Sequence, residues 1–138
     1  MCTVYVSRII TEGGGWIPKV NPELFQYECE KVHNELPYIR TSDFVRFMRS
    51  QPDVEVSYRY TMEEFSPDLL KSGDIVVLSQ ENQGLYNHLV FVEAVYVDRV
   101  EILELSGSAS PPSYCREFTD VKTPINFFII IRIQECYR

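Results

Sequence analysis

The sequence predicts an α+β domain in which N-terminal helices are followed by an antiparallel β-sheet meander. Two observations support this class. Apolar residues recur at helical spacing in the first half of the chain, whereas nearly every apolar segment after Asp74 is short and strand-like. Helices first and strands afterwards, without regular alternation, are typical of α+β proteins. The length of 138 residues fits one domain, which we predict to cover 1–138.

Residues 2–12 fit either a strand or a helix. Thr3–Val6 favour a strand, but four apolar residues would also share one helical face. These are Cys2, Val6, Ile9 and Ile10. Gly13–Gly15 end the element in either case, and Trp16 and Ile17 follow in a loop.

A helix is predicted over 21–36, with Asn21 as its cap and Pro22 in its first turn. Its apolar face consists of Phe25, Cys29, Val32 and Leu36. Cys29 lies in the middle of this face and His33 lies beside it, so we expect both to have packing roles.

A second helix is predicted over 42–50, with Thr41 or Ser42 as its cap. Its core side consists of Phe44, Val45, Phe47 and Met48. A strand-like alternation follows at Val54, Val56, Tyr58 and Tyr60. Thr61 and Glu64 have the spacing of a capping box, and Ser66–Pro67 is a further helix-start signal.

The second half of the chain is predicted to consist of strands. Their ranges are 74–79, 88–96, 100–105 and 126–134. The loop 106–118, which contains serines, a glycine and two prolines, is the longest irregular segment.

Composition and charge restrict the partners of this domain. The chain is 45% hydrophobic and 24% charged, as in ordinary soluble proteins, and its net charge of −7 would repel nucleic acid and anionic membranes. No apolar run approaches the roughly 20 residues of a membrane span. The N-terminus also lacks the pattern of a secretory signal. We therefore expect a protein without a membrane span, either cytoplasmic or exported without a signal peptide.

One histidine, His88, begins the strand 88–96 and follows a polar loop that contains Gly84. Alternation places His88, Val90, Val92 and Ala94 on one face of the strand and Leu89, Phe91 and Val95 on the other. His88 is either a core histidine with a satisfied hydrogen bond or a base, since an ordinary imidazole titrates at about 6.5.

Two residues of the next strand could orient the His88 ring. A regular hairpin with Val97–Arg99 as its loop would pair Val92 with Glu104, about 13 Å from His88, and would leave Ser106 roughly half as far away. A β-bulge would bring Glu104 closer. Alternatively, Glu104 is a solvated strand residue or an ion-pair partner of Arg99 or Arg132.

The cysteines offer a nucleophile more readily than a metal site. Cys2, Cys29, Cys115 and Cys136 form no CxxC pair, so we expect no metal and no cofactor. If 2–12 is a helix, Cys2 lies near its N-terminus, where unpaired N–H groups and the helix dipole favour the thiolate. Cys2 is therefore the candidate nucleophile.

The chain resembles CHAP amidohydrolase/peptidase domains and their NlpC-type relatives, which are papain-like cysteine hydrolases. The segments similar to their C-terminal half are SGDIVVL, NHLVFVEAV and VDRVEILELS, and INFFIIIRI resembles their last strand. CTVYVSRIITEGG resembles their nucleophile helix. The resemblance covers most of the chain and is weakest over 15–70.

The resemblance implies that Cys2 is the nucleophile, His88 the general base and Glu104 the third catalytic residue. Ser106 takes the position at which many members have asparagine, and Asn87 replaces the usual glycine before the histidine. Such domains have a further stretch before the cysteine, which helps to wall the cleft, whereas here only Met1 precedes it.

The resemblance therefore implies a cysteine amidase or peptidase, with a peptidoglycan peptide as the first substrate to consider. A delivery or immunity partner protein would fit a chain without a signal peptide. Two alternatives remain open at this point. The domain could be a catalytically inactive papain-like binding module, or it could be an unrelated small α+β interaction domain in which aromatic residues form the binding surface.

Overall fold

A computed structural model of the chain describes residues 6–22, 41–80, 86–104, 116–118 and 124–134. Several predictions concern residues outside these ranges. They include most of the helix 21–36 and the positions of Cys2, Cys29, His33, Ser106, Cys115 and Cys136.

The first described segment is helical. Residues 6–8 are α-helical and continue into a π-helix, Ile9–Gly13, and the two together are named α1. Of the two structures considered for 2–12, the helix is therefore confirmed for residues 6–12, and residues 2–5 lie outside the described ranges. Gly15 has a φ of +68°, which non-glycine residues rarely adopt, and this conformation lets the chain leave the helix. Trp16 then lies in a loop, as predicted, but it is buried.

The second helix, α2, is Thr41–Arg49. It begins at Thr41, so neither Thr41 nor Ser42 lies before the helix as the predicted cap. The core side is confirmed, because Phe44, Val45 and Met48 are buried and Phe47 is half-buried against the same core. Of the preceding predicted helix, the structure describes only the start, where Pro22 is helical.

In the described ranges, six antiparallel strands form one sheet in the order β1-β6-β2-β3-β4-β5. Their bounds are β1 Val54–Val56, β2 Ile75–Gln80, β3 His88–Val95, β4 Val100–Leu103, β5 Arg116–Glu117 and β6 Ile125–Ile133. The meander is confirmed for β2 to β5, and β6 returns to lie between β1 and β2. The sheet differs from prediction in β5, which lies within the predicted loop 106–118. It also differs in β1, which ends at Val56.

Two short 3₁₀-helices cross from β1 to β2. The first, Met62–Glu64, has the predicted capping box, since the Thr61 N–H donates to Glu64 Oε1 at 2.9 Å. The second is Pro67–Leu69, directly after Ser66. Before them, Tyr60 forms a single bridge to Phe128, which extends the β1 side of the sheet without a continuous strand.

The sheet separates two hydrophobic layers. The face covered by α1 and α2, here the α1 face, carries Ile75, Val77, Leu89, Phe91, Ile129 and Ile131, which pack with Val6, Ile10 and Trp16. The opposite face, here the Phe118 face, carries Val76, Leu78, Val90, Val92, Ile102, Phe128 and Ile130, which pack with Leu70 and Phe118. Within the described ranges, no helix is both long and apolar enough to cross a membrane.

The two ends of the strands differ in chemistry. At one end, here the Asp74 end, Arg132 Nε and Nη2 donate to the two carboxylate oxygens of Asp74 at 2.8 and 2.7 Å. At the other end, here the His88 end, β2 stops at Gln80 and β3 begins at His88. The candidate site lies at the His88 end.

Candidate active site

The site is centred on a contact between an imidazole and a carboxylate. Nε2 of His88 lies 2.6 Å from Oε2 of Glu104. The His88 side chain is 15% exposed and that of Glu104 is 5% exposed, so the pair is largely withdrawn from water. A buried carboxylate is costly unless it is paired and hydrogen-bonded, and His88 provides such a partner. Glu104 is therefore not the solvated strand residue of the alternative interpretation.

The register of β3 and β4 explains why Glu104 reaches His88. The hairpin loop has four residues, because Val95 pairs with Val100, and a bulge lies between Val92 and Ala94. Val92 therefore pairs with Ile102 and not, as predicted, with Glu104. Continued by one step beyond the Phe91–Leu103 pair, this register places Glu104 beside Val90, two residues from His88. The considered β-bulge is present, and together with the four-residue loop it halves the expected distance between Glu104 and His88.

The same bulge corrects the assignment of faces on β3. Val90 and Val92 pack in the Phe118 layer, whereas Leu89 and Phe91 pack in the α1 layer, as alternation predicts. Val95 was predicted on the side of Leu89 and Phe91, but it packs against the Phe118 layer. One extra residue in the strand reverses the alternation beyond it.

Pairing with Glu104 fixes the chemistry of the His88 ring. When Glu104 is ionised, its carboxylate can only accept a hydrogen bond, and Nε2 of His88 is then the donor to Oε2. In a neutral imidazole, Nδ1 then carries the lone pair that can accept a proton. The arrangement orients the ring, fixes its tautomer and stabilises the charged imidazolium, which are the tasks of the third residue in a nucleophile–base triad.

The backbone before His88 is held by Asn87. Its N–H donates to Leu78 O at 2.9 Å, and its Oδ1 accepts the Gln80 N–H at 2.9 Å. Asn87 thus joins the end of β2 to the start of β3 through its side chain, which a glycine at this position could not do. Sequence analysis considered Asn87 only as a replacement for glycine and missed this contact.

Cys2 and Ser106 lie outside the described residues, so the structure does not bring them together with His88 and Glu104. The segment after Cys2 is nevertheless anchored at the Asp74 end of the sheet. The Trp16 indole Nε1 donates to Asp53 Oδ2 at 3.0 Å, and Lys19 Nζ lies 2.7 Å from the same oxygen. The C-terminal end of α1 is therefore held away from the His88 end.

Gln51 strengthens this anchor. Its Oε1 accepts the N–H groups of Lys19 and Val20 at 2.8 and 2.9 Å, and its Nε2 donates to Val20 O at 2.8 Å. Sequence analysis missed both Gln51 and Asp53. In the sequence, the only signal is that Gln51 and Asp53 flank Pro52 shortly after α2. This pattern does not show that the two side chains bind the loop that contains Trp16 and Lys19.

The proposed partners of Glu104 pair elsewhere. Arg132 binds Asp74, and Arg99 lies 3.5 Å from Glu101. Two clefts in the described part of the chain are lined in part by Arg132, and neither is lined by His88. In the same ranges, no group of three or more His, Cys, Asp or Glu side chains is arranged to hold a metal ion.

The comparisons with known proteins identify the family. The model of the family Amidase_6, described as "Putative amidase domain", matches residues 1–118, a range that includes all four predicted site residues. No curated protein and no solved structure matches the chain. The match shows an amidase-type domain and does not distinguish the CHAP or NlpC types. Since it covers most of the 138 residues, the chain belongs to this amidase-domain family.

Proposed function

We propose that the protein is a cysteine amidase or peptidase in which Cys2 attacks an amide carbonyl, His88 is the general base and Glu104 orients His88. The observation that carries the proposal is the 2.6 Å contact between His88 and Glu104 in a chain of the amidase-domain family. In a nucleophile–base pair a third group orients the base, and a buried carboxylate in contact with His88 can be that group.

The proposed reaction follows from the tautomer of His88. Nδ1 takes the proton of the Cys2 thiol, and the thiolate attacks the carbonyl carbon to form a tetrahedral intermediate. Backbone N–H groups at the start of the Cys2 helix stabilise the oxyanion. The imidazolium then protonates the leaving amine, an acyl-enzyme remains, and water activated by His88 hydrolyses it. Ser106 would lie next to the pair, in the position of the asparagine of similar domains.

Two features support an approach of Cys2 to His88. Because Trp16 is anchored at the Asp74 end, a helix that packs along the strands leads back toward the His88 end. Cys2 lies four positions before Val6 in the sequence. If α1 continues back to Cys2, as the proposed oxyanion site requires, these four positions extend the helix by about 6 Å toward the His88 end.

One observation favours the catalytically inactive binding module as a second candidate. Val6 and Ile10 of α1 pack on the α1 face, whereas His88 pairs with Leu78 on the Phe118 face. The thiol therefore has to reach His88 around the strand end and not directly across the layer. If it does not, the His88–Glu104 pair is a structural element of a papain-like fold that binds without cleaving.

Thiol reactivity separates the two candidates. The alkylation rate of each of the four cysteines is measured across pH by mass spectrometry, in wild type and in His88→Ala. We expect Cys2 to react fastest at pH 6–7 and to lose this advantage in the variant, while the other three cysteines serve as internal controls. If Cys2 is equally slow in both proteins, the thiolate–imidazole pair does not exist and the binding module is the better description.

The substrate proposed first is a peptidoglycan peptide, because the CHAP and NlpC resemblance implies it. Purified stem and cross-bridge peptides are incubated with wild type and with Cys2→Ser, and new amino termini are counted by mass spectrometry. Cleavage by wild type alone supports this substrate class. Cleavage of other peptides but not of these would support the amidase activity and exclude peptidoglycan peptides as its substrate.

A further inference from the structure

We propose that Arg59, Phe127 and Tyr86 form a subsite for a carboxylate of the substrate, so that the enzyme prefers acidic peptides. The inference rests on the proposed function and adds a substrate class to it. It is carried by three observations on these residues: the charge of Arg59, its fixed position over an aromatic ring, and its place at the His88 end of the sheet.

Arg59 is one of two arginines with a described side chain that have no carboxylate partner in the described ranges, and the other is Arg49. Four others lie within ion-pair distance of a carboxylate: Arg8 with Glu12, Arg46 with Asp43, Arg99 with Glu101, and Arg132 with Asp74. Within the described part of the chain, Arg59 has no such partner. In a protein of net charge −7, an arginine without a carboxylate partner can bind the carboxylate of a ligand.

The guanidinium of Arg59 is held in place. Its Cζ lies 4.0 Å from the centroid of the Phe127 ring, which is a cation–π arrangement. The Tyr86 ring meets Phe127 edge-on, with centroids 5.4 Å apart. Phe127 and Tyr86 are half-buried and Arg59 is exposed, so the rings fix one face of the guanidinium while its N–H edge remains open to solvent. This edge is the part that binds carboxylates with two parallel hydrogen bonds.

The three residues lie at the His88 end of the sheet. Phe127 pairs with Ser79 near the end of β2, and Tyr86 precedes His88 by two residues. Phe127 alternates with Phe128 and so points to the α1 face, on which Val6 and Ile10 of α1 pack. β6 and β3 are two strands apart, which is roughly 10 Å within the sheet. Since His88 lies on the Phe118 face and Phe127 on the α1 face, a peptide that reaches both passes around the strand ends and needs at least about three extended residues.

This spacing defines the substrate. A peptide whose amide bond lies at Cys2 and His88 would place a carboxylate on Arg59 from a position at least three residues away. The carboxylate could belong to an acidic side chain or to a free C-terminus, because both present the same planar group. Arginine binds either one through the same fork of donors.

The test uses peptides that alkylate Cys2. The acidic probe is bromoacetyl-Ala-Ala-Glu amide, the neutral probe is bromoacetyl-Ala-Ala-Gln amide, and a third probe carries Gln with a free C-terminus. Second-order rates at Cys2 are measured by mass spectrometry in wild type, Arg59→Gln and Arg49→Gln. Arg49 is a matched control because it is also exposed and without an ion-pair partner in the described ranges, but it lies at the end of α2. Both variants change the net charge equally.

We expect wild type to prefer at least one of the two carboxylate probes by about two- to fivefold, the range of an exposed ion pair. Arg59→Gln should reduce that ratio to about one, and Arg49→Gln should leave it unchanged. A preference for the Glu probe alone identifies a side-chain carboxylate, and a preference for the free C-terminus identifies a terminal one. Equal ratios in wild type and Arg59→Gln, or equal losses in both variants, would overturn the subsite.

A binding measurement keeps the inference separate from the proposed function. Fluorescently labelled acetyl-Ala-Ala-Glu and acetyl-Ala-Ala-Gln peptides are titrated by anisotropy in a Cys2→Ser background, with and without Arg59→Gln. If Cys2 is unreactive but acidic peptides still bind in an Arg59-dependent manner, the hydrolase proposal is wrong and the carboxylate subsite is supported. If Cys2 reacts in a His88-dependent manner and no probe or peptide depends on Arg59, the hydrolase proposal is supported and the subsite is wrong.

Discussion

Glu104 lies one strand away from His88 and reaches its Nε2 atom with a contact of 2.6 Å, although a regular hairpin would place it two residues further along β3. The shift results from a four-residue loop combined with a bulge in the strand of His88. Bulges occur often beside active sites, where they redirect a side chain. In this domain the bulge helps to bring Glu104, the buried carboxylate directly after β4, to His88. His88 is the only histidine that the structure describes.

The first prediction concerns Glu104→Gln. The amide accepts a weaker hydrogen bond and carries no charge, so the imidazolium loses its stabilisation and Cys2 loses thiolate. We expect alkylation of Cys2 at pH 6.5 to fall about tenfold, which corresponds to one pKa unit of the thiol–imidazole pair. The measurement is the pH–rate profile by mass spectrometry. Glu101→Gln, on the same strand, is the control and should leave the profile unchanged. A normal profile in Glu104→Gln would remove Glu104 from the site.

Local patterns predicted much of the fold. The apolar face of α2, the capping box at Thr61 and the positions of β2, β3 and β6 follow from spacing and turn residues, which short segments determine on their own. His88 at the start of a strand was predicted in the same way. These features do not depend on which distant segment lies beside them.

Features that depend on distant segments could not be predicted. The register of Glu104 depends on how the hairpin loop closes and on one bulged residue, and a one-residue shift reverses every side chain in the strand. Val95 was assigned to the wrong face for this reason. Arg132 could equally well have paired with Glu104, and only the return of β6 beside β2 shows that Asp74 is its partner.

The second prediction concerns the ion pair at the Asp74 end. Asp74 is buried and accepts two hydrogen bonds from Arg132, and it also accepts the Lys71 N–H at 2.8 Å. Asp74→Ala leaves the guanidinium without its partner in a partly buried position. We expect the free energy of unfolding to fall by about 3 kcal/mol. Urea denaturation measures this change.

The control for this prediction is Arg8→Ala, which breaks an exposed pair with Glu12 on α1. Exposed pairs of this spacing contribute only about 0.3–0.5 kcal/mol, so the midpoint of unfolding should barely move. Similar small changes in Asp74→Ala and Arg8→Ala would show that water or another group replaces the buried pair.

The third prediction concerns acid and the Trp16 anchor. Burial alone would raise the pKa of Asp53, but the hydrogen bonds from Lys19 and Trp16 outweigh it, and the pKa is lowered from its ordinary value of 3.8. A carboxyl with a lowered pKa in the folded state stabilises the fold above its unfolded pKa. This stability is lost as the pH falls from about 4 through the folded pKa.

Trp16 reports on this loss directly, because it is the chain's one tryptophan. We expect its fluorescence to change below pH 4 as Asp53 is protonated and the indole and Lys19 lose their acceptor. Asp53→Asn should be less stable at pH 7 and should show a weaker dependence of unfolding on pH in this window. If wild type and Asp53→Asn lose stability in parallel between pH 5 and 2, other carboxylates cause the acid transition.

The last prediction concerns Ser79, which is fully buried near the His88 end and whose Oγ has no hydrogen-bond partner among the residues that the structure describes. A buried hydroxyl without a partner costs free energy, so Ser79→Ala should leave the stability unchanged or raise it by up to about 1 kcal/mol. Ser57→Ala is the matched opposite case, because Ser57 Oγ accepts the Ile130 N–H and donates to Tyr58 O, both at 2.8 Å. It should cost about 1–2 kcal/mol, since a backbone donor loses its partner. Urea unfolding of both variants distinguishes the two environments. A clear loss of stability in Ser79→Ala would mean that the Ser79 hydroxyl forms a hydrogen bond in solution. The end of β2 beside His88 would then contain a polar contact that the described residues do not provide.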